Sequence, residues 1–255
     1  MLILLPPSET KSYPTEGPKL SHPSLWLADE LGAARSEVCT SLIAIAKGSK
    51  RRAMATLGLT PGLADEVAHN AALLTSPCAH AIDIYTGVLY EALGWSSLSS
   101  SAKKRGASQL RIFSALFGAL RPLDPIPAYR LSMSVNLPKI GGLGNYWKQH
   151  LTLLDEQENQ LVIDLRSQVY AKAWKPTSVE TATVRVFVER NGKRTVVSHM
   201  AKKTRGEVAR ALLNLRKSPS NIETAAQALS ASFEIELVAP STSGKPYFID
   251  VIHSN

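Results

Sequence analysis

The residues best placed to do chemistry in this chain are short polar clusters that follow apolar runs. Ser8, Glu9, Thr10 and Lys11 follow the opening run; Asp83, Tyr85 and Thr86 follow a second; Asp164, Arg166, Ser167 and Tyr170 surround the end of a third. His199, Lys202, Lys203 and Arg205 follow a late hairpin signal. In open α/β architectures the loops at one end of the sheet gather ligands. If these ends meet, they form a basic pocket holding a few carboxylates. Glu9, Asp83, Asp164, Tyr170 and Lys202 are then the candidates for acid, base or nucleophile, since such groups must converge for chemistry.

Charge supports an anionic partner. The chain of 255 residues carries a formal +8, and between Arg166 and Lys217 thirteen Lys or Arg stand against three acids. Six more basic residues between Lys103 and Arg130 face only Asp124, and Lys47, Lys50, Arg51 and Arg52 form a third group. Fields of this kind draw in polyanions. Arg121 and Arg205 can grip phosphate through guanidinium forks, with Lys202 and Lys203 as more mobile charges. A basic run at a helix N-terminus, as in Ala201 to Glu207, opposes the macrodipole unless an anion offsets it. The plain alternative is a solvated basic face with no partner.

Other signatures are missing. The sequence has no GxGxxG, phosphate-loop lysine, GxSxG or HExxH pattern. The six histidines are scattered, and Cys78 with His80 is too sparse for a metal site, so no cofactor and no metal are implied. Cys39 and Cys78 form no CxxC pair and suit a reducing cytoplasm. No segment reaches the apolar length of a membrane span, and the start lacks the core of a signal peptide.

The elements that must position these clusters follow from periodicity. Residues 1–5 read as a buried strand stopped by Pro6-Pro7, and a helix runs through Val38, Leu42 and Ile45 to Gly48. Two short helical stretches flank Leu57-Gly58-Leu59-Thr60-Pro61-Gly62-Leu63, a helix-hairpin-helix-like element at about 37–75, where backbone N–H groups can hold a DNA phosphate. Ala79 to Tyr85 reads as a strand. Residues 107–120 read as a helix, with Leu110, Phe113, Leu116, Phe117 and Leu120 facing the core. Asn145 reads as the cap of a helix containing Tyr146 and Trp147. Leu161 to Leu165 is a strand, followed by a short helix capped by Ser167 and running through Trp174. Thr183 to Glu189 and Thr195 to Met200 form a hairpin about Asn191-Gly192; helices over 202–215 and 222–230 and strands over 233–238 and 246–252 close the chain. The expected fold is α/β (α+β), one compact domain over 1–255 with a central mixed sheet and surrounding helices.

Several of these segments, MLILLPPSETK at 1–11, Asp83 to Gly87, Leu110 through Asp124, Tyr129-Arg130-Leu131, Tyr146-Trp147, Tyr170 with Lys172, and Ala201 to Gly206, occur in one order that resembles the YaaA family, known as peroxide stress proteins. The resemblance implies a DNA-binding protein that protects against hydrogen peroxide and restrains free iron, with an unusual α/β fold, a helix-hairpin-helix near Lys50 to Gly62, and a positively charged cleft. It places that cleft near Arg121, Arg130, Lys202, Lys203 and Arg205, with Lys50, Arg51 and Lys172 as further phosphate contacts. Many relatives carry a lysine where this chain has Glu9, with Lys11 two positions later. The implied partner is double-stranded DNA or another phosphate-rich ligand, with no membrane, and a monomer is the expectation. The competing class is an enzyme acting on a nucleotide, a nucleobase or its glycosidic bond.

Overall fold

A computed structural model describes residues 1–157, 160–242 and 244–254. The chain opens with β1 (Leu2–Leu5), four apolar residues that are all fully buried. After a long loop, α1 (Ala28–Lys47) buries Leu31, Ala34, Val38, Leu42 and Ala46, the three- and four-residue spacing of a helix with one apolar face. Arg35 lies on that face too. It is fully buried, and its guanidinium donates to the carbonyls of Phe117 and Ala119 at 3.0 and 2.9 Å.

Gly48 ends α1 and α2 (Lys50–Leu57) follows, closed by Gly58 in the left-handed region at φ 63°. A 3-10 turn at Pro61–Leu63 leads into α3 (Glu66–Ala71). Then come β2 (Cys78–His80), α4 (Ala81–Ile84), α5 (Val88–Leu93) and α6 (Ser100–Gln109), the last capped by the Ser99 hydroxyl. The expected strand over 79–85 is thus a three-residue strand that turns into helix.

The expected helix over 107–120 is corrected more fully. Here α6 ends at Gln109, β3 (Leu110–Ser114) and β4 (Gly118–Leu120) form an antiparallel hairpin, and residues 110–120 are all buried. An apolar run buried on every side satisfies helical and strand spacing alike, so periodicity cannot choose between them. Trp147 makes the choice visible: it fills the space beside Gly118 and donates from Nε1 to the Ala115 carbonyl at 2.8 Å.

The remaining elements are β5 (Pro125–Pro127), β6 (Asn136–Leu137), β7 (Gly141–Gly142), α7 (Leu143–His150), α8 (Leu154–Gln157), β8 (Val162–Asp164) and α9 (Gln168–Ala171). They are followed by β9 (Thr181–Arg190), β10 (Lys193–Thr195), α10 (Ser198–Asn214), α11 (Ile222–Ser230), β11 (Glu234–Val238) and β12 (Tyr247–Ser254). Asn145 lies inside α7, whose N-cap is Gly142, and α9 stops before Trp174. His199 falls in the first turn of α10, where a strand was expected to continue.

These elements make a single mixed α/β domain around a sheet in the order β11-β12-β9-β8-β1-β3-β4, with β10 paired to the far end of β9. The strands β3, β1, β8, β9 and β12 run parallel. Their C-terminal ends therefore open on one edge, where the loops after β1 and β8 leave the sheet. Among the described residues no helix is long and apolar enough to cross a membrane.

Candidate functional site

The loop leaving β1 is clamped before it can wander. Tyr90 donates its hydroxyl to the Pro6 carbonyl at 2.8 Å, Ser12 N–H reaches the Ile84 carbonyl, Thr86 N–H reaches the Thr10 carbonyl, and Lys11 pairs with Tyr85 in an isolated antiparallel bridge. Gly87 makes the close approach possible. Its φ is +88°, and a Cβ there would sit 2.8 Å from Thr10 Oγ1.

That clamp fixes Lys11 in an unusual setting. Its half-buried amine donates to the carbonyls of Ser8 (2.8 Å) and Glu9 (3.4 Å) and lies 4.4 Å from the Tyr129 ring centre and 5.5 Å from that of Tyr85. Burial, with the Arg130 charge second, lowers the Lys11 pKa to about 7, against the weaker pull of Glu66 and Glu9. Arg130 is the other pole of the site: Nη2 pairs with Glu9 Oε2 at 2.8 Å and Nη1 donates to the Glu9 carbonyl at 3.1 Å. Its backbone is pinned by Asn70 of α3, which both donates to the Arg130 carbonyl and accepts from its N–H at 2.8 Å.

Three hydroxyls behind the amine form a directed chain. Ser114 Oγ accepts from Leu116 N–H and Phe117 N–H, which leaves its proton for Tyr129 at 2.7 Å. Tyr129 then donates to Tyr85 at 2.8 Å, and the Tyr85 proton is the one this chain does not use. Burial pushes the phenol pKa values of Tyr85, Tyr90 and Tyr129 well above the ordinary range, so all three remain protonated at neutral pH. Tyr170, pushed up to about 12 chiefly by burial, lies against the Met133 backbone and the Ser132 hydroxyl, close enough to feel Glu9 and Arg130.

The end of β8 supplies a second cluster. Asp164 accepts from Arg166 Nε at 2.9 Å, from Nη2 at 2.8 Å and from the Arg166 N–H at 2.9 Å, while the guanidinium stacks 4.1 Å from the Phe113 ring centre and donates to the Trp174 carbonyl. Arg205 sits near enough to Asp164 to feel its charge; burial lowers the Arg205 pKa, and its Nε is buried without a hydrogen-bond partner among the described residues. Between the Glu9–Arg130 pair and α2 lies a cavity of about 590 Å³ lined by Glu9, Thr56, Gly58, Arg130, Ser132 and Asn136 among others.

The structure thus joins Glu9 with Arg130 and Tyr170, and Asp164 with Arg205, at the edge where the parallel strands end. Lys202 and Lys203 are exposed on α10, with Lys203 3.6 Å from Glu207, and Lys172 is exposed just after α9. Lys50 and Arg51 are exposed at the start of α2. Two expectations part from this group. Asp83 is an exposed surface residue 3.6 Å from His80. Arg121 is exposed in a different cavity, over the Trp26 ring at 5.1 Å and beside Ser108 and Gln160, residues that precede β3 and β8 at the opposite end of the sheet. The shared cleft of Arg121 with Arg130 does not form, because β4 turns back antiparallel to β3 and carries Arg121 away.

Sequence reasoning placed Lys11, Tyr85 and Arg166 in the strand-end clusters of a basic pocket without assigning them a specific task, and it did not place Tyr129 there. Lys11 and Tyr85 stand in polar clusters at strand ends, which is the signal available; that a tyrosine 118 residues away covers the amine is a tertiary fact. Among the described residues no group of three His, Cys, Asp or Glu side chains is placed to hold a metal ion.

Comparison with known proteins agrees with the sequence segments. A family profile described as peroxide stress protein YaaA matches residues 1–235. A UPF0246 protein of Streptomyces coelicolor is 43% identical over 258 residues, covering 99% of this chain and 98% of the relative. A UPF0246 protein of Corynebacterium glutamicum is 40% identical over 227 residues, covering 88% and 89%, and one of Shewanella woodyi is 36% identical over 183 residues, covering 68% and 70%. With matches that run through nearly the whole length, the chain belongs to the UPF0246 family of YaaA peroxide stress proteins.

Proposed function

We propose that this protein serves peroxide defence by holding double-stranded DNA along the edge where its parallel strands end. The observation that supports the reading is the cavity between Arg130 and α2 at that edge, with Arg205 beside Asp164 at the end of β8 and the exposed Lys172, Lys202 and Lys203 on the elements that follow the parallel strands. Lys50 and Arg51 at the start of α2 extend the cationic surface beyond that cavity. The N–H groups of Gly58 and Leu59 close α2 on the carbonyls of Ala55 and Met54, so the reading rests on the basic side chains and not on this turn. Phosphate contacts dominate such binding, so they set its salt dependence.

Shielding of DNA and restraint of free iron are the two parts of the role that the family resemblance implies, and the basic edge speaks to the first. The test is duplex binding by fluorescence anisotropy between about 50 and 200 mM salt, comparing the wild-type chain with Lys50→Gln/Arg51→Gln/Lys202→Gln/Lys203→Gln. Each lost phosphate contact lowers the log–log salt slope by about 0.9. An unchanged slope and affinity in that variant would falsify the reading.

A further inference from the structure

We propose that Lys11 is a nucleophilic amine that condenses with the aldehyde of a phosphate-bearing sugar, the ring-opened abasic site of DNA being the form that the basic edge would present. The substrate rests on the DNA reading above; the chemistry rests on the geometry of the site. Among the described residues no carboxylate hydrogen-bonds to the amine, and the pull of Glu66 and Glu9 is weaker than burial and the Arg130 charge. Glu9 turns its carboxylate onto Arg130 at 2.8 Å, and Glu66 accepts the Tyr13 hydroxyl at 2.6 Å. What the amine does meet is two backbone carbonyls, which take two N–H bonds and leave the lone pair directed away from both.

The surroundings fit that task. The faces of Tyr85 and Tyr129 exclude water from one side of the amine, and burial together with the Arg130 charge keeps a neutral fraction present near neutrality. Arg130 shares the Glu9 carbonyl with Lys11, so a guanidinium able to hold a phosphate is one carbonyl away from the nucleophile. It also lines the cavity of about 590 Å³, which is large enough for a sugar phosphate. The unused Tyr85 proton is a source for the departing oxygen.

The step balances without a redox partner. The Lys11 lone pair forms a C–N bond to the aldehyde carbon, the carbonyl π bond breaks and its oxygen is protonated. Loss of that oxygen as water then leaves an imine, both hydrogens of the water deriving on balance from the amine. Hydrolysis reverses it.

The experiment incubates the full chain with cyanoborohydride and either a labelled duplex bearing one abasic site or ribose 5-phosphate, and measures intact-duplex binding in a third sample without reductant. The expected result is a covalent adduct whose mass maps to Lys11, reduced about tenfold or more in Lys11→Arg. Mapping in the wild-type chain stands even if the variant folds poorly. An adduct at Lys11 with ribose 5-phosphate alone supports the amine chemistry and assigns the source to free sugar phosphates. Absence of an adduct in both arms, or adducts spread over surface lysines, overturns the proposal. Binding of intact duplex without any Lys11 adduct sinks this proposal alone, whereas a Lys11 adduct on ribose 5-phosphate without duplex binding sinks the DNA reading alone.

Discussion

Lys11 Nζ and Arg130 Nη1 converge on one carbonyl oxygen, that of Glu9, at 3.4 and 3.1 Å. Two cationic groups on one acceptor is an arrangement that burial makes costly. The protein relieves part of that cost through the lowered proton affinity of the amine.

This has a consequence for stability. An unfolded lysine titrates near 10.4, so between about pH 7 and that value the unfolded chain holds a proton on Lys11 that the folded chain has lost. Stability contributed by this site therefore rises with pH across the window, by up to about 1.4 kcal/mol per unit, and is least below pH 7, where both states are charged. Urea unfolding of wild type and Lys11→Met at pH 6.5 and 8.5 checks the sign. The wild type gains more than the variant between the two values; an equal gain contradicts the depressed amine.

Glu9 occupies the guanidinium that the proposed DNA phosphate would use. Its side chain is 71% exposed against 18% for Arg130, so the carboxylate can leave without disturbing the core. Glu9→Gln is expected to tighten duplex binding about threefold at low salt and by less at high salt. Anisotropy at two salt concentrations reads both effects, and weaker binding in the variant would show that Glu9 takes part in the contact.

Gly206 lies where α10 crosses α5. A Cβ there would fall 2.1 Å from the Leu89 carbonyl oxygen and 2.8 Å from Ala92 Cβ, so Gly206→Ala forces the two helices apart. The expected loss is about 2 kcal/mol, or about 5 °C in Tm. Calorimetry showing an unchanged Tm would mean that the crossing is looser than described.

The glycine also shows how much was legible. Ala201 to Gly206 stands out in the sequence as a basic run, and the helix that carries it is recovered at its C-terminal end, while its first turn reads as strand. The reason for its glycine is a contact with a helix more than a hundred residues earlier. The opening strand, the loop after it, β8 and the closing strands β11 and β12 were likewise readable from apolar runs and proline punctuation. The β3–β4 hairpin was not, because complete burial erases periodicity; nor was the position of Arg121, which depends on the direction of β4. At the site, Glu9, Asp164, Tyr170 and Arg205 could be named as polar residues at strand ends. Arg166 stood in the same strand-end cluster as Asp164, and Arg130 entered through the family resemblance; which of these residues pair, and the part of Tyr129, were fixed only when the chain folded.

Peroxide defence raises the question of thiols. Cys39 and Cys78 are free and buried, and burial pushes their pKa values up to about 12 and about 11, so neither supplies much thiolate at neutral pH. Reaction with a disulfide reagent is expected only after unfolding, and peroxide treatment of the native chain should leave both thiols intact by mass. Rapid native reaction at either cysteine would assign it a redox role that its surroundings do not support.

Which face holds DNA is the central claim, and hydrogen–deuterium exchange with and without a duplex reads it most directly. Protection is predicted for backbone amides at 8–13, 56–62, 130–136 and 198–206, with none at 104–111 or 121–124 at the opposite end of the sheet. Protection confined to the segments around Arg121 and Lys104, with the Glu9 loop and α10 unaffected, would contradict it.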